Sequence, residues 1–388
     1  MEGGENMIFD RRDFEVLRLC GLCRYLPTRL RLRFDSPLFA PGIFVTLCNH
    51  KLIKMQSDRS SYKLTYDGRE ILAEMGYTFP DDARMNLKRT AYKRKLKNAL
   101  WNVTLHLAGI DIYACDAADL SGKENGYVSS LLLRKDNDMR VLAGTRFLGI
   151  LKLGNTCYAP YYVESADDWI IPGYEREIYS SQIQTFKGAK QTRLILAGNS
   201  LEELWKYLTS PDSCDPLPRG MKRFGVALEE MGCDYLLVPL NRFGVMQMSV
   251  IRESCYRERL ARALGCVMEA PSELSECDGL IGNTPYIIAL DFNVPRIVRA
   301  LRQAARNFPR SVPKIICFTF QEKTMFRLLK RYGASKTVVV TVDERSLAEV
   351  FPETVRDTAL QAYMGKEGRV FDANERKIRK DEFELSET

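Results

Sequence analysis

The chain has 388 residues, of which 45% are hydrophobic and 28% are charged, as in an ordinary globular protein. This length predicts two or three domains, each with its own core. The longest apolar runs, such as residues 338–340, are far too short to span a bilayer, and residues 1–6 lack the apolar stretch of a signal peptide. We therefore expect a soluble cytoplasmic protein that does not enter a membrane.

Eleven cysteines and only two histidines limit the metal and redox chemistry open to the chain. Most of the cysteines stand singly within apolar runs, which is typical of reduced, buried thiols in the cytosol. The pair Cys20 and Cys23 lies in a predicted helix and has no second pair at zinc-ribbon spacing. His50 and His106 alone cannot form a multi-histidine centre. We therefore expect no metal and no cofactor.

The net charge is unevenly distributed along the chain. Residues 1–110 contain 19 Lys+Arg and 12 Asp+Glu, a net charge of +7, whereas residues 111–388 contain 38 of each. A basic segment joined to a neutral one is typical of a module that binds a polyanion and is attached to a separate body.

Two helices are predicted at the start of the chain. Residues 10–25 carry leucine and aromatic side chains at helical spacing, and Pro27 ends this helix. In residues 29–34 cations alternate with apolar residues, a pattern that a strand could also give. The position of this segment, just before a helix and a hairpin, favours a supporting helix. Thr28 is its expected N-cap, and residues 35–37 end it.

Residues 41–72 predict a helix, a β-hairpin and another helix, in that order. The first helix covers residues 41–50, and a strand starts at Leu52. The polar residues 56–60 form the hairpin turn, and polar and apolar side chains then alternate as in a half-buried return strand. Thr65 or Asp67 is expected to cap the following helix.

The end of this hairpin resembles a known signature. The run Tyr62-Lys63-Leu64-Thr65-Tyr66-Asp67-Gly68-Arg69 is similar to the tyrosine-leucine-threonine-x-x-glycine motif that ends the wing of MarR- and PadR-like regulators. The resemblance implies that residues 1–80 form a winged helix-turn-helix. A helix, a hairpin with a basic tip and a capped helix place cations where a duplex groove would lie. The alternative is a winged helix that contacts only proteins.

A basic connecting helix is predicted within residues 81–114. Residues 84–97 contain seven cations and no acidic residue, and they lead into the apolar residues 100–107. On the functional interpretation this helix lies along DNA phosphates. The alternative is a solvated linker helix whose charges have no specific partner, as is usual for a charge run.

Residues 115–346 predict an α/β domain with a mixed sheet. Residues 116–126 are polar and turn-like, and early strands are expected at residues 128–133, 146–153 and 158–164. Strands rich in Ile and Val then alternate with helices, which implies partly parallel pairing. The predicted strands are residues 193–199, 286–290, 314–320 and 336–342, and the predicted helices start at Leu201, Pro295 and Lys323. Residues 347–388 are charged, and we expect a partly disordered tail.

Polar side chains at the ends of these strands are the candidates for chemistry, because open α/β sheets bind ligands there. They are Asn199, Asp291, Gln321 and Asp343. A magnesium-dependent nuclease needs clustered carboxylates and a lysine. Asp291 and Asp343 could contribute, but no Glu-x-Lys pair follows a strand, and Lys152 has no acid beside it. Helix caps and strand-end turns are the simpler interpretation. Since phosphate-binding and dinucleotide motifs are also missing, we assign no catalytic residue and favour a protein without enzymatic activity.

The order of winged helix, basic helix and α/β body resembles the replication-relaxation family, whose members are encoded on plasmids and conjugative elements of Gram-positive bacteria. The resemblance rests on Tyr62-Lys63-Leu64-Thr65-Tyr66-Asp67-Gly68, on Arg146-Phe147-Leu148-Gly149-Ile150-Leu151 and on Ile315-Ile316-Cys317-Phe318-Thr319-Phe320-Gln321. It implies a body like restriction-endonuclease folds and a DNA-binding role in the replication, mobilisation or transcriptional control of a mobile element. The missing nuclease acids do not match an inherited cleavage activity.

On this hypothesis the partner is double-stranded DNA, and helix 41–50 enters the major groove. Its candidate base readers are Thr46, Asn49 and His50, while Arg59 reaches the minor groove from the hairpin turn. The candidate phosphate contacts are Arg29, Arg31, Arg33, Lys51 and Lys63 and, in the basic helix, Lys88, Arg89, Lys93 and Arg94. Winged-helix proteins commonly dimerise, which leaves a homodimer on a two-fold site open. The rival hypotheses are a nuclease-like enzyme that the winged helix delivers to DNA and a protein-interaction module.

Overall fold

The computed structural model describes residues 11–77, 79, 90–114, 116–136, 146–166, 168–173, 175, 191–210, 217, 220–253, 255–266, 276–351, 363–364 and 370–371. Its contacts divide the chain into two units. Unit 1 comprises Met1–Val103 with Val355–Thr388, and unit 2 comprises Thr104–Thr354. Over the described ranges the chain folds into fourteen helices and several sheets, so the predicted α/β class is confirmed. Within the same ranges, none of the helices combines the length and the apolar character needed to cross a membrane.

Unit 1 is built from helices around a small antiparallel sheet. Its helices are α1 (Arg11–Cys23), α2 (Leu30–Phe34), α3 (Pro41–Asn49), α4 (Tyr66–Glu74) and α5 (Thr90–Leu107), the last of which ends in unit 2. Its first strands are β1 (Leu26–Pro27), β2 (Ile53–Met55) and β3 (Ser61–Leu64), and β3 lies in the middle of the sheet. The predicted helices over residues 29–34 and 41–50 and the predicted hairpin are therefore confirmed. The helix predicted over residues 10–25 is confirmed from Arg11, but it ends at Cys23, and Pro27, which was expected to end it, lies in β1.

Local chemistry explains where these elements start and stop. A single turn of 3-10 helix, Pro37–Phe39, joins α2 to α3, and Pro41 stands at the start of α3, where its missing N–H needs no partner. Of the two predicted caps of α4, Thr65 and Asp67, the structure selects Thr65, whose Oγ1 accepts a hydrogen bond from the Gly68 N–H at 3.1 Å. Helix α5 confirms the predicted helix from Thr90 onward, while residues 84–89 of the basic run lie outside the described residues.

The prediction that Thr28 caps α2 is wrong. The N-cap position belongs to Arg29, whose side chain makes no capping hydrogen bond. The Thr28 hydroxyl instead donates to the Arg59 carbonyl at 3.1 Å, and the Thr28 N–H donates to the Ser60 carbonyl at 3.1 Å. Thr28 thus ties the chain after β1 to the hairpin turn, a partner 31 residues away that local sequence rules cannot anticipate.

Unit 2 contains the remaining helices and most of the strands. Its helices are α6 (Ala117–Gly122), α7 (Ser130–Asp136), α8 (Leu201–Thr209), α9 (Phe224–Met231), α10 (Arg242–Ile251), α11 (Tyr256–Ala263), α12 (Val294–Asn307), α13 (Glu322–Arg331) and α14 (Glu344–Val350). Its strands are β4 (Asn125–Ser129), β5 (Gly149–Leu153), β6 (Thr156–Tyr162), β7 (Trp169–Ile170), β8 (Gln191–Gly198), β9 (Lys222–Arg223), β10 (Tyr235–Pro239), β11 (Gly279–Ile281), β12 (Thr284–Ile288), β13 (Lys314–Phe318) and β14 (Val338–Val342). Two further strands, β15 (Tyr363–Met364) and β16 (Val370–Phe371), pair with each other in unit 1.

Two mixed sheets share one hydrophobic core in unit 2. The larger sheet has the order β10-β8-β6-β5-β4. Strands β10, β8 and β6 are parallel to one another, β5 is antiparallel to β6, and β4 is antiparallel to β5. The smaller has the order β11-β12-β13-β14, in which only β11 is antiparallel to its neighbour. Buried side chains of both sheets, such as Leu196 and Ile315, belong to the same cluster. The predicted mixed sheet with parallel pairing is therefore confirmed.

Two predictions at the start of unit 2 are wrong. The segment 116–126, expected to be a turn, contains α6, which starts because the Asp119 N–H donates to the Asp116 Oδ1 at 2.8 Å. The strand expected at residues 128–133 ends at Ser129, and α7 begins at Ser130. The leucine run that follows is apolar enough for either element, and leucine has a high helix propensity.

Candidate nucleic-acid interface

Helix α3 buries one face and exposes the other. Ile43, Phe44 and Leu47 are buried, and the Phe44 ring stacks on Tyr62 of β3 with 4.6 Å between centroids. This contact fixes the helix against the hairpin. The periodicity of 3.6 residues then directs the remaining side chains of α3 away from the core.

The exposed face of α3 carries Gly42, Val45, Thr46 and Asn49, at spacings of three, four and seven residues. Asn49 is exposed and Thr46 is half-buried, and the structure thus places these two predicted base readers on one face. Val45, on the same face, is 56% exposed. His50, the third predicted reader, is exposed at the C-cap position beside this face.

Lys51 follows α3 in a conformation that favours glycine. The Lys51 N–H donates to the Cys48 carbonyl and the Leu52 N–H to the Leu47 carbonyl, both at 2.9 Å, which is the Schellman pattern of helix termination. The residue at the Lys51 position must then adopt a left-handed conformation, and its φ is 58°. A lysine there costs roughly 1 kcal/mol relative to glycine.

Arg59, in the hairpin turn, also adopts a left-handed conformation. Its N–H donates to the Gln56 carbonyl at 2.9 Å, and its φ is 54°. Glycine is again the favoured residue at such a position in a hairpin loop. The turn is also held in place, because the Asp58 carboxylate accepts from the N–H and the hydroxyl of Ser60. Both Lys51 and Arg59 are exposed.

Lys63 lies on a different surface from these residues. Its neighbours Tyr62 and Leu64 face α3 and the core, so strand alternation directs Lys63 to the opposite face of the sheet. Its Nζ lies 5.5 Å from the centroid of the Tyr25 ring. The exposed Lys54 of β2 pairs directly with Lys63 across the hairpin. Sequence reasoning missed Lys54 and Val45, although both follow from strand and helix periodicity.

The predicted arginines of α2 are divided between exposed and half-buried positions. Leu30 and Phe34 are buried four residues apart and anchor the helix. Arg29 and Arg31 are exposed, and Arg33 is half-buried.

The basic part of α5 is anchored next to the hairpin. The Tyr92 side chain is 2% exposed, and its hydroxyl forms hydrogen bonds with the hydroxyls of Ser60 at 2.6 Å and Ser61 at 2.7 Å. Lys93 and Arg94 directly follow this anchor and are exposed. The other two predicted contacts of this helix, Lys88 and Arg89, lie outside the described residues. The hairpin and the described cations of α5 are thus neighbours within unit 1.

The Cys20–Cys23 pair lies in α1, as predicted, with both thiols buried. Burial raises the pKa of the Cys23 thiol to about 12, and burial together with the nearby thiols of Cys23 and Cys48 raises the pKa of the Cys20 thiol well above its ordinary value. Protonated thiols in an apolar core are poor nucleophiles and poor metal ligands. Across the described ranges, His, Cys, Asp and Glu side chains form no group of three or more that could hold a metal ion.

Asp291, which the nuclease alternative needs, belongs to a buried ionic network in unit 2. Its side chain is 2% exposed, one oxygen contacts the guanidinium of Arg257, and the other accepts from the Asn293 N–H at 3.3 Å. Burial raises the pKa of the Asp291 carboxyl, but Arg257, Arg296 and then Arg193 lower it more, so the pKa lies below its ordinary value. Both oxygens of this carboxylate are engaged by the protein itself.

The other strand-end candidates also have structural partners. Asp343 caps α14 by accepting from the Ser346 N–H at 2.8 Å. Gln321 is fully buried, and its Nε2 donates to a backbone carbonyl at 2.9 Å. Lys152 donates to two backbone carbonyls at 2.9 and 2.6 Å, and Asn199 accepts from a tyrosine hydroxyl at 3.1 Å. The interpretation of these residues as caps and strand-end contacts is confirmed, and the geometry offers the nuclease alternative no support.

Comparisons with known proteins add no further assignment, since no family model, curated protein or solved structure matches the chain.

Proposed function

We propose that unit 1 contains a winged helix-turn-helix and that the protein binds double-stranded DNA through it. The order helix, strand, helix, helix, strand, strand, helix and the sheet order β1-β3-β2 support this proposal. In such folds the second helix of the pair enters the major groove, and the hairpin lies on the neighbouring backbone or minor groove. Here α3 is that helix, and β2 and β3 form the wing.

The observation that carries the proposal is the placement of cations at Lys51 and Arg59. Lys51 directly follows the C-cap of α3 and Arg59 lies in the hairpin turn, so together they flank the surface that would meet the duplex. Both occupy positions where glycine would be more stable. Backbone strain at such positions typically accompanies a function. Here the function would be the binding of a polyanion by the two cations.

The exposed face of α3 suits a duplex groove. Asn49 can form paired hydrogen bonds with adenine, Thr46 can bond to several bases, and Val45 can contact a thymine methyl group. Arg29, Arg31, Lys93 and Arg94 would contact phosphates and set the register. We base the proposed role in the replication, mobilisation or transcriptional control of a mobile element on the resemblance to the replication-relaxation family.

The proposal is tested by titrating the full chain into a labelled random-sequence duplex at several salt concentrations. Each neutralised phosphate should contribute about 0.9 to the slope of log affinity against log salt. We expect binding at low salt with a slope that corresponds to several contacts. Binding that ignores salt, or no binding at low salt, would contradict the proposal and favour a protein-interaction module. Incubation of plasmid with protein and magnesium tests the enzyme alternative, and we expect intact plasmid.

A further inference from the structure

The outer edge of β14 is a feature of unit 2 that the proposed function does not use. Strand β14 is the last strand of its sheet, and over the described residues it pairs only with β13. Its residues are four valines and one threonine, with no charge and no proline. Edge strands usually carry such a residue to prevent pairing with another chain. In unit 1 the edge strand β2 does so, with Lys54 at its centre.

The register of β14 shows which backbone groups face outward. The Val338 N–H donates to the Pro313 carbonyl at 3.1 Å, so the backbone groups of Val338 point toward β13. Successive residues of a strand point their N–H and C=O groups to alternate sides. Val340 and Val342 therefore bond to β13 as well, and Val339 and Thr341 direct their groups to the outer edge.

We propose that β14 pairs antiparallel with β14 of a second copy of this chain, about a two-fold axis at Val340. In this register Val339 lies opposite Thr341 of the other copy, and the two residues exchange both hydrogen bonds. The two-fold axis also pairs Thr341 with Val339 of the other copy. The outward N–H and C=O groups of both residues are therefore all hydrogen-bonded. Val340 then faces its own equivalent in a pair without hydrogen bonds.

The residues at the ends of β14 favour a second copy as the occupant. Lys336 before the strand and Asp343 after it are both exposed. Antiparallel pairing brings the start of one strand to the end of the other, so that each Lys336 approaches the Asp343 of the other copy. Opposite charges thus meet twice, which gives the interface its orientation. The same pairing covers Val338, which is 45% exposed, with Val342 of the other copy.

This interface is independent of the proposed DNA binding, because it rests only on unit 2. If both proposals hold, the dimer carries two copies of α3 and selects DNA sites with two related halves.

Sedimentation of the full chain without DNA over a dilution series tests the interface. We expect a species of twice the 44.4 kDa chain mass that dissociates on dilution. Val338→Lys should raise the dimer dissociation constant about tenfold or more, because two lysines then enter the interface. Val226→Lys on α9 is the matched control, since Val226 is 37% exposed away from β14, and it should leave the constant unchanged. A monomer at every concentration, or equal effects of the two variants, would overturn the proposal.

Two further variants test the orientation and the register. Lys336→Glu should weaken the dimer, and adding Asp343→Asn should restore part of it, since asparagine keeps the α14 cap but removes the repulsion. Val340→Cys should give a covalent dimer on mild oxidation, because facing residues without hydrogen bonds bring their Cβ atoms to about 4.5–5.5 Å. Wild-type protein, with its own cysteines, is the background control. Cross-linking of Val339→Cys instead of Val340→Cys would contradict the register.

Discussion

Replacing Lys51 and Arg59 by glycine should weaken DNA binding without weakening the fold. The φ angles of 58° and 54° suit glycine, which avoids the penalty of roughly 1 kcal/mol that an L side chain meets there. We expect each variant to unfold with the wild-type free energy or up to about 1 kcal/mol above it. Each substitution also removes one phosphate contact and therefore reduces the salt slope by about 0.9. At an ionic strength of about 0.15 M this corresponds to about fivefold in affinity for each contact, or about 25-fold for the double variant.

The assay pairs urea unfolding with anisotropy titrations of a labelled duplex over a salt series. Arg24→Gly is the matched control. Arg24 also has a positive φ, 62°, and its replacement by glycine removes the same charge. It lies between α1 and β1 and is not among the proposed contacts. We expect this control to keep the wild-type slope. An unchanged slope in the double variant, or an equal decrease in the control, would refute the reasoning, because affinity would then follow net charge and not position.

Three further variants test contacts on which the account depends. Lys54→Glu should stabilise unit 1 by about 0.2–1 kcal/mol in thermal unfolding, because the new carboxylate faces Lys63 across the hairpin. A destabilised variant would contradict the pairing. Tyr92→Phe should cost about 1–3 kcal/mol in urea unfolding, since the Ser60 and Ser61 hydroxyls each lose a hydrogen bond and Ser61 is fully buried. Asp291→Asn should destabilise unit 2 by about 3–5 kcal/mol, because Arg257 loses the carboxylate nearest to it and retains the more distant Asp278 at 4.0 Å. The pKa of Asp291 is lower in the folded protein than in the unfolded chain, so its carboxylate stabilises the fold at pH values above the unfolded pKa of about 3.9. This stabilisation is lost as the pH falls through the lower folded pKa. The free energy of unfolding of the Asn variant should therefore lack this part of its dependence on pH.

Local sequence patterns predict the secondary structure correctly where a residue's hydrogen-bonding or packing partner lies within a few residues of it along the chain. The helical periodicity of residues 41–50 and the capping threonine Thr65 gave α3 and α4 correctly, because both signals act within a few residues. Local rules predict that Thr28 caps α2, whereas its hydroxyl bonds to a carbonyl 31 residues away. The leucines after Ser129 fit a strand or a helix, and only the surrounding packing selects the helix α7.

In the candidate site, too, local spacing predicts which residues share a face, but it does not predict the contacts that depend on the rest of the fold. The positions of Thr46 and Asn49 on one exposed face follow from helical spacing alone. The strained angle of Lys51 depends on the hydrogen bonds that end α3, and the direction of Lys63 depends on which face of the hairpin packs on that helix. Asp291 resembled a nuclease acid because it follows a strand, whereas its partner Arg257 is 34 residues away along the chain.

Lysine acetylation of the full chain, with and without a bound duplex, tests the central claim most directly. The duplex should protect Lys51, which follows α3, and Lys93 on α5, both of which are exposed and among the proposed contacts. Lys323 on α13 of unit 2 is 66% exposed and should react equally in both samples. Unchanged reactivity at Lys51 and Lys93 in the bound sample, or protection centred on Lys323, would contradict the account.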